Sequence, residues 1–74
     1  MTLHEAIIQV LTEEGRALDL EEIAAIINRK KLYVRKKDNN PLEAFQVRLR
    51  VISKNYRHLF IYEDDKVSLN KDVY

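Results

Sequence analysis

The chain has no cysteine, a single glycine and a single proline in 74 residues. Without cysteine there are no disulfides and no thiolate metal sites, and nothing argues against a reducing compartment. One glycine cannot build a phosphate-cradling loop, and no nucleophilic side chain has a plausible base, so the expectation is a chain without catalysis and without a cofactor. Long apolar runs are also missing. The longest are a few residues, against the ~20 that a membrane span requires. No basic-then-apolar leader is visible, so the expected location is cytoplasmic, on the nucleoid if the source is bacterial. Internal repeats and low-complexity segments are absent too.

What the chain does have is 46% hydrophobic and 34% charged residues, the balance of a folded, soluble protein. At this length about 60% of the unfolded surface can be buried, enough for one modest core. Residues 1–74 are therefore expected to form a single domain, of a size that also suits a module cut from a longer protein. The net charge is only +1, but it is unevenly placed. Residues 1–28 hold six acids against Arg16, a net of −5, and residues 58–74 hold four acids against two bases, a net of −2. Between them, residues 29–57 hold ten bases against Asp38 and Glu43, a net of +8. Two readings stand. The basic segment meets a polyanion, or it is one side of a dipolar, solubilising surface.

Thr2 with Glu5 is a capping box, and Leu3, Ala6, Ile7, Val10 and Leu11 follow at the spacing of one helix face. This first helix should stop at Gly15, which can take the left-handed conformation. Arg16 to Leu18 leaves room only for a stub strand. Asp19 with Glu22 starts a second helix, with Leu18 stapling onto Ile23 and a core stripe of Leu20, Ile23, Ala24 and Ile27, ending near Lys30 or Lys31. Leu32 and Tyr33 should anchor the chain, and Val34 to Asn39 reads as an exposed loop.

A third helix is expected from Asn40 to Arg57, with Asn40 as cap, Pro41 at the first helical position and Glu43 reaching back. Leu42, Phe45, Leu49, Ile52 and Tyr56 would face the core. Glu43, Val47, Arg50 and Lys54 would face outward, flanked by Gln46, Ser53 and Arg57. Beyond it, Phe60 and Tyr62 alternate toward Val67 and Leu69. A tight turn at Asp64 and Asp65 would set Glu63 opposite Lys66, Tyr62 opposite Val67 and Phe60 opposite Leu69. The missing glycine leaves a longer loop open. Residues 70–74 read as a fraying end.

Three capped helices followed by a hairpin with one apolar face make an α+β winged helix-turn-helix, a three-helix bundle with a C-terminal two-stranded β-hairpin wing. A generic three-helix α+β domain is the alternative. The residues named so far also resemble the HARE-type helix-turn-helix domain, which is shared by some homeobox proteins, additional-sex-combs-like chromatin proteins and restriction endonucleases. It is related to the N-terminal domain of bacterial RNA polymerase delta subunits. Leu3, Glu5, Ala6, Val10 and Leu11 carry the resemblance in the first helix, and Leu18, Glu22 and Ile23 at the start of the second. Leu32, Tyr33, Pro41, Leu49, Phe60, Val67 and Leu69 extend it over nearly the whole chain. It implies a module of transcription, chromatin or restriction machinery that binds DNA. Two features depart from the pattern: a long connection between helices two and three, and a wing tip of Glu63, Asp64 and Asp65 that would repel phosphates.

On the DNA reading, Arg50 and Lys54 enter the groove of double-stranded DNA with Gln46 and Arg57 beside them, while Lys30, Lys31, Arg35, Lys36 and Lys37 meet phosphates. Val47 could touch a thymine methyl group or be an ordinary surface valine. His4 and His58 lack partners at metal-ligand spacing, so no metal site is expected. The acid pairs Glu13/Glu14, Glu21/Glu22 and Asp64/Asp65 sit where caps and turns favour carboxylates. The competing function is a protein-interaction module that uses the third helix or the wing, seeded by Val47, Val51 and Ile61. Neither a membrane nor a small-molecule substrate is expected as a partner.

Overall fold

The computed structural model describes residues 2–33 and 41–70. Helix α1 (Leu3–Glu14) starts at the expected capping box: the Glu5 carboxylate accepts from the Thr2 amide at 3.0 Å, and the Thr2 hydroxyl accepts from the Glu5 amide at 3.4 Å. It ends at Gly15, whose φ of 67° lets its N–H reach the Leu11 carbonyl. Only a residue at ease with positive φ closes a helix this way without strain. Helix α2 (Leu20–Lys30) is capped by the Asp19 carboxylate, which accepts from the Glu22 amide at 2.7 Å. It closes on Lys31, which adopts the left-handed conformation at φ 54° while the Leu32 amide returns to the Ile27 carbonyl. Leu3, Ala6, Ile7, Val10 and Leu11 of α1 and Ile23, Ala24 and Ile27 of α2 are buried together, with Leu20, Leu32 and Tyr33 packed at the margin.

Strand β1 (Leu18–Asp19) is the stub between these helices, and β2 (Phe60–Glu63) and β3 (Lys66–Leu69) form the hairpin. The sheet order is β1-β3-β2, all antiparallel, so β3 lies between the stub and the other arm of the wing. The hairpin register is the expected one, with Phe60 opposite Leu69, Tyr62 opposite Val67 and Glu63 opposite Lys66. Phe60 and Val67 are buried, and Ile61 points away from the core. The turn has two residues despite lacking glycine, with Asp64 and Asp65 at φ 52° and 61°. Two positive φ values match the right-handed twist of a hairpin, and short polar side chains tolerate them at some cost. Replacing Asp65 by Gly removes part of that strain, so Asp65→Gly should raise stability by about 0.5–1 kcal/mol in a urea titration.

Three helices and this wing make the α+β winged helix-turn-helix expected from the sequence. Helix α3, however, is shorter than expected and presents the opposite face. It spans Ala44–Val51 only, with Glu43 as its cap, while Asn40 lies outside the described residues. It cannot begin earlier because Leu42 is in an extended segment whose backbone is held by Asn28. The Asn28 amide donates to the Leu42 carbonyl at 2.9 Å and accepts from the Leu42 amide at 2.8 Å. Downstream, Ile52 ends the helix, and the Tyr56 and Arg57 amides both bond to the Ser53 carbonyl in a turn.

Within these bounds the buried side chains of α3 are Val47 and Val51, at 0% and 2% exposure. Phe45, Leu49 and Ile52, expected in the core, are 56%, 57% and 43% exposed. Residues two apart on a helix point about 160° away from each other, so Phe45 and Val47, or Leu49 and Val51, cannot both be inside. The small β-branched residues take the space against α1 and α2. Val47 is thus neither a surface valine nor a contact for a thymine methyl, and neither Val47 nor Val51 can seed a protein contact. Tyr56 reaches the margin of the core from the turn, not from a helical stripe.

Candidate nucleic-acid interface

The acidic flanks and the basic middle segment are organised differently. At the joint between α1 and α2, bases are matched by acids. The Lys30 ammonium lies 2.7 Å from the Glu13 carboxylate, and Arg16 lies 3.5 Å from Glu22 and 3.8 Å from Glu14. Lys30, with a further hydrogen bond from Gln9, holds the Glu13 carboxyl below its ordinary pKa. Hydrogen bonds from the Thr2 hydroxyl and backbone do the same for Glu5. These carboxylates are therefore charged and occupied at neutral pH.

In the middle segment the bases are not matched. Among the described residues, Arg29, Lys31, Arg48, Lys54 and Arg57 are exposed and form no ion pair. Arg29 and Lys31 flank the end of α2, and Arg48 lies on α3. Lys54 stands in the turn after α3, not on the helix, and Arg57 opens a 3-10 turn (Arg57–Leu59) that leads into β2. Exposed cations left unpaired remain strongly hydrated and available to an anion.

The remaining sequence candidates divide. Gln46 is the third residue of α3, and its side-chain oxygen accepts from the Glu43 amide at 2.9 Å, which makes it part of the helix cap. Arg50 is half-buried, with its guanidinium 5.1 Å from the centre of the Tyr56 ring. The same ring stacks on His4, with centroids 4.3 Å apart. His4 in turn shares a hydrogen bond with the Thr2 hydroxyl at 3.1 Å. Arg50 thus joins the turn after α3 to the start of α1, through a cation–π contact of a kind that also fixes the guanidinium's direction. Arg35, Lys36 and Lys37 lie outside the described residues.

Sequence reasoning passed over Arg48 as a contact. Its signal was its place between Phe45 and Ile52, on what proves to be the outer side of α3. Thirteen residues separate Lys30 from Ala44, so α2 and α3 are not joined by a tight turn. Among the described residues, no group of three or more His, Asp or Glu side chains could hold a metal ion, and no helix is long and apolar enough to cross a membrane.

No curated protein and no solved structure matches the chain. A family model does match, over residues 1–71: that of the HARE-HTH domain, described as an HTH domain of homeobox, ASXL and restriction endonuclease proteins. The match spans the three helices and both arms of the wing. The chain belongs to the HARE-HTH family.

Proposed function

We propose that this domain is a non-catalytic module that binds double-stranded DNA, chiefly through phosphates, in a transcription, chromatin or restriction-type setting in the cytoplasm or on a nucleoid. The observation that carries this reading is the set of unpaired bases in the middle segment, Arg29, Lys31, Arg48, Lys54 and Arg57, in a chain whose other bases are largely matched by acids. Membership of a helix-turn-helix family supports it. Lys30 ranks behind these residues because Glu13 holds it, while Arg35, Lys36 and Lys37 add charge to the same segment. Base reading is weak on this view. The outward stripe of α3 is apolar, Gln46 serves the cap, and Arg50 rests on Tyr56. The acidic wing tip stays clear of the phosphates.

Nothing in this reading calls for a catalytic centre, cofactor or small-molecule substrate. Glu13, Glu14 and Glu22 are engaged by Lys30 and Arg16, and Asp64 and Asp65 form a turn. The test is binding of a labelled random duplex across a range of salt concentrations. Each phosphate contact should add about 0.9 to the slope of log affinity against log salt. The double variant Lys54→Glu/Arg57→Glu should weaken binding and lower that slope by about 2. A native chain that binds no duplex even at low salt would sink the proposal.

A further inference from the structure

One feature is not used by phosphate binding: the outward face of α3. Phe45, Leu49 and Ile52, at 56%, 57% and 43% exposure, form a stripe two helical turns long, about 10 Å from end to end. Beside it lies an open groove of about 390 Å³, lined among others by Leu3, Tyr33, Leu42, Phe45, Leu49 and Arg50. Phosphates gain nothing from large apolar side chains, whereas three of them in one stripe beside a groove are what a partner helix can bury. The charge around the stripe is one-sided. From Pro41 to Arg57 the chain carries Arg48, Arg50, Lys54 and Arg57 against Glu43 alone.

We propose that this face is a docking site for an acidic amphipathic helix of another protein. The partner would present large apolar residues at i, i+3 or i+4, and i+7, a spacing that matches the rise of Phe45, Leu49 and Ile52. Its flanking carboxylates would meet Arg48, Arg50 and Lys54. A basic helix of the same apolar pattern is repelled by those cations, and an acidic chain without the apolar pattern leaves the stripe wet. The two requirements together define the ligand. The site goes beyond the DNA reading and does not rest on it.

The probe is a fluorescein-labelled model peptide with leucines on one helical face and glutamates elsewhere, compared with an isomer of identical composition whose leucines are scattered around the helix. The ordered peptide should bind the native domain about tenfold or more tightly than its isomer. Phe45→Ser/Leu49→Ser should lose about tenfold in peptide affinity. The two side chains are exposed, so the variant should keep the native circular dichroism spectrum, and its slope for duplex DNA should be unchanged. Equal binding of the two peptides, full affinity in the folded double variant, or no saturation by about millimolar peptide would each overturn the site. Loss of duplex binding by the native chain, with peptide discrimination intact, would count against the DNA reading alone.

Discussion

Val47→Asp should leave the domain unfolded at room temperature, while Leu49→Asp, two residues further on, should melt close to the native chain. Val47 is wholly buried in the cluster that joins α1, α2 and β3. No charged or polar side chain is buried there to receive a carboxylate. An unpaired buried carboxylate costs several kcal/mol after relaxation, and a chain of this length holds only about 4–11 kcal/mol of stability in total. Leu49 is more than half exposed, so a carboxylate there stays hydrated, and a change of the usual surface size, within about 0.5 kcal/mol, is expected. Thermal melts followed by circular dichroism compare the two. The opposite ranking would mean that α3 is rotated by half a turn from the orientation described above.

Asn28→Ala should destabilise the domain by about 2–4 kcal/mol, an unusual loss for an asparagine. Its side chain pairs with both backbone groups of Leu42, in the manner of a neighbouring strand. Leu42 itself is buried, so alanine leaves a donor and an acceptor with little access to water, each costing about 1–3 kcal/mol less whatever relaxation recovers. Asn28→Asp separates the two bonds. A carboxylate can still accept from the Leu42 amide but opposes its carbonyl, so at neutral pH this variant should also be less stable than the native chain. Urea titrations give the comparison. A loss below about 0.5 kcal/mol for both variants would mean that the pairing is replaced by water.

These two residues also mark where the sequence could be read and where it could not. Short-range chemistry was legible. The Thr2 box, the Gly15 stop, the Asp19 cap and the hairpin register depend on residues a few positions apart, and each forms as its spacing dictates. Helix α3 was not legible in the same way, because two apolar stripes run through it. Phe45, Leu49 and Ile52 are the larger set, and size favoured them for the core. The choice of Val47 and Val51 is made by distant partners, through the hold of Asn28 on Leu42 and the limited room over Ile7, Ile23 and Ile27.

The candidate site shows the same division. The uneven charge of the chain was plain in its composition, and Arg57 and Lys31 are exposed as a solvated base should be. The burial of one side of Arg50 against Tyr56 was not, because it depends on where the chain turns after Val51. Nor was the engagement of Gln46, which follows from a helix start three residues later than the Asn-Pro pair suggests.

The strand order has a consequence for how copies of this chain behave toward one another. With β3 in the middle, β2 is an edge strand, and among the described residues it pairs with β3 alone. A free edge carrying an exposed Ile61 would ordinarily invite another strand, the first step of sheet-to-sheet aggregation. The edge here is four residues long and runs into three consecutive carboxylates at Glu63, Asp64 and Asp65. Shortness limits the hydrogen bonds a second copy could gain, and like charge penalises any alignment that brings two tips together. The acidic tip, a poor neighbour for phosphate, thus serves as a colloidal safeguard that keeps an uncovered sheet edge in solution.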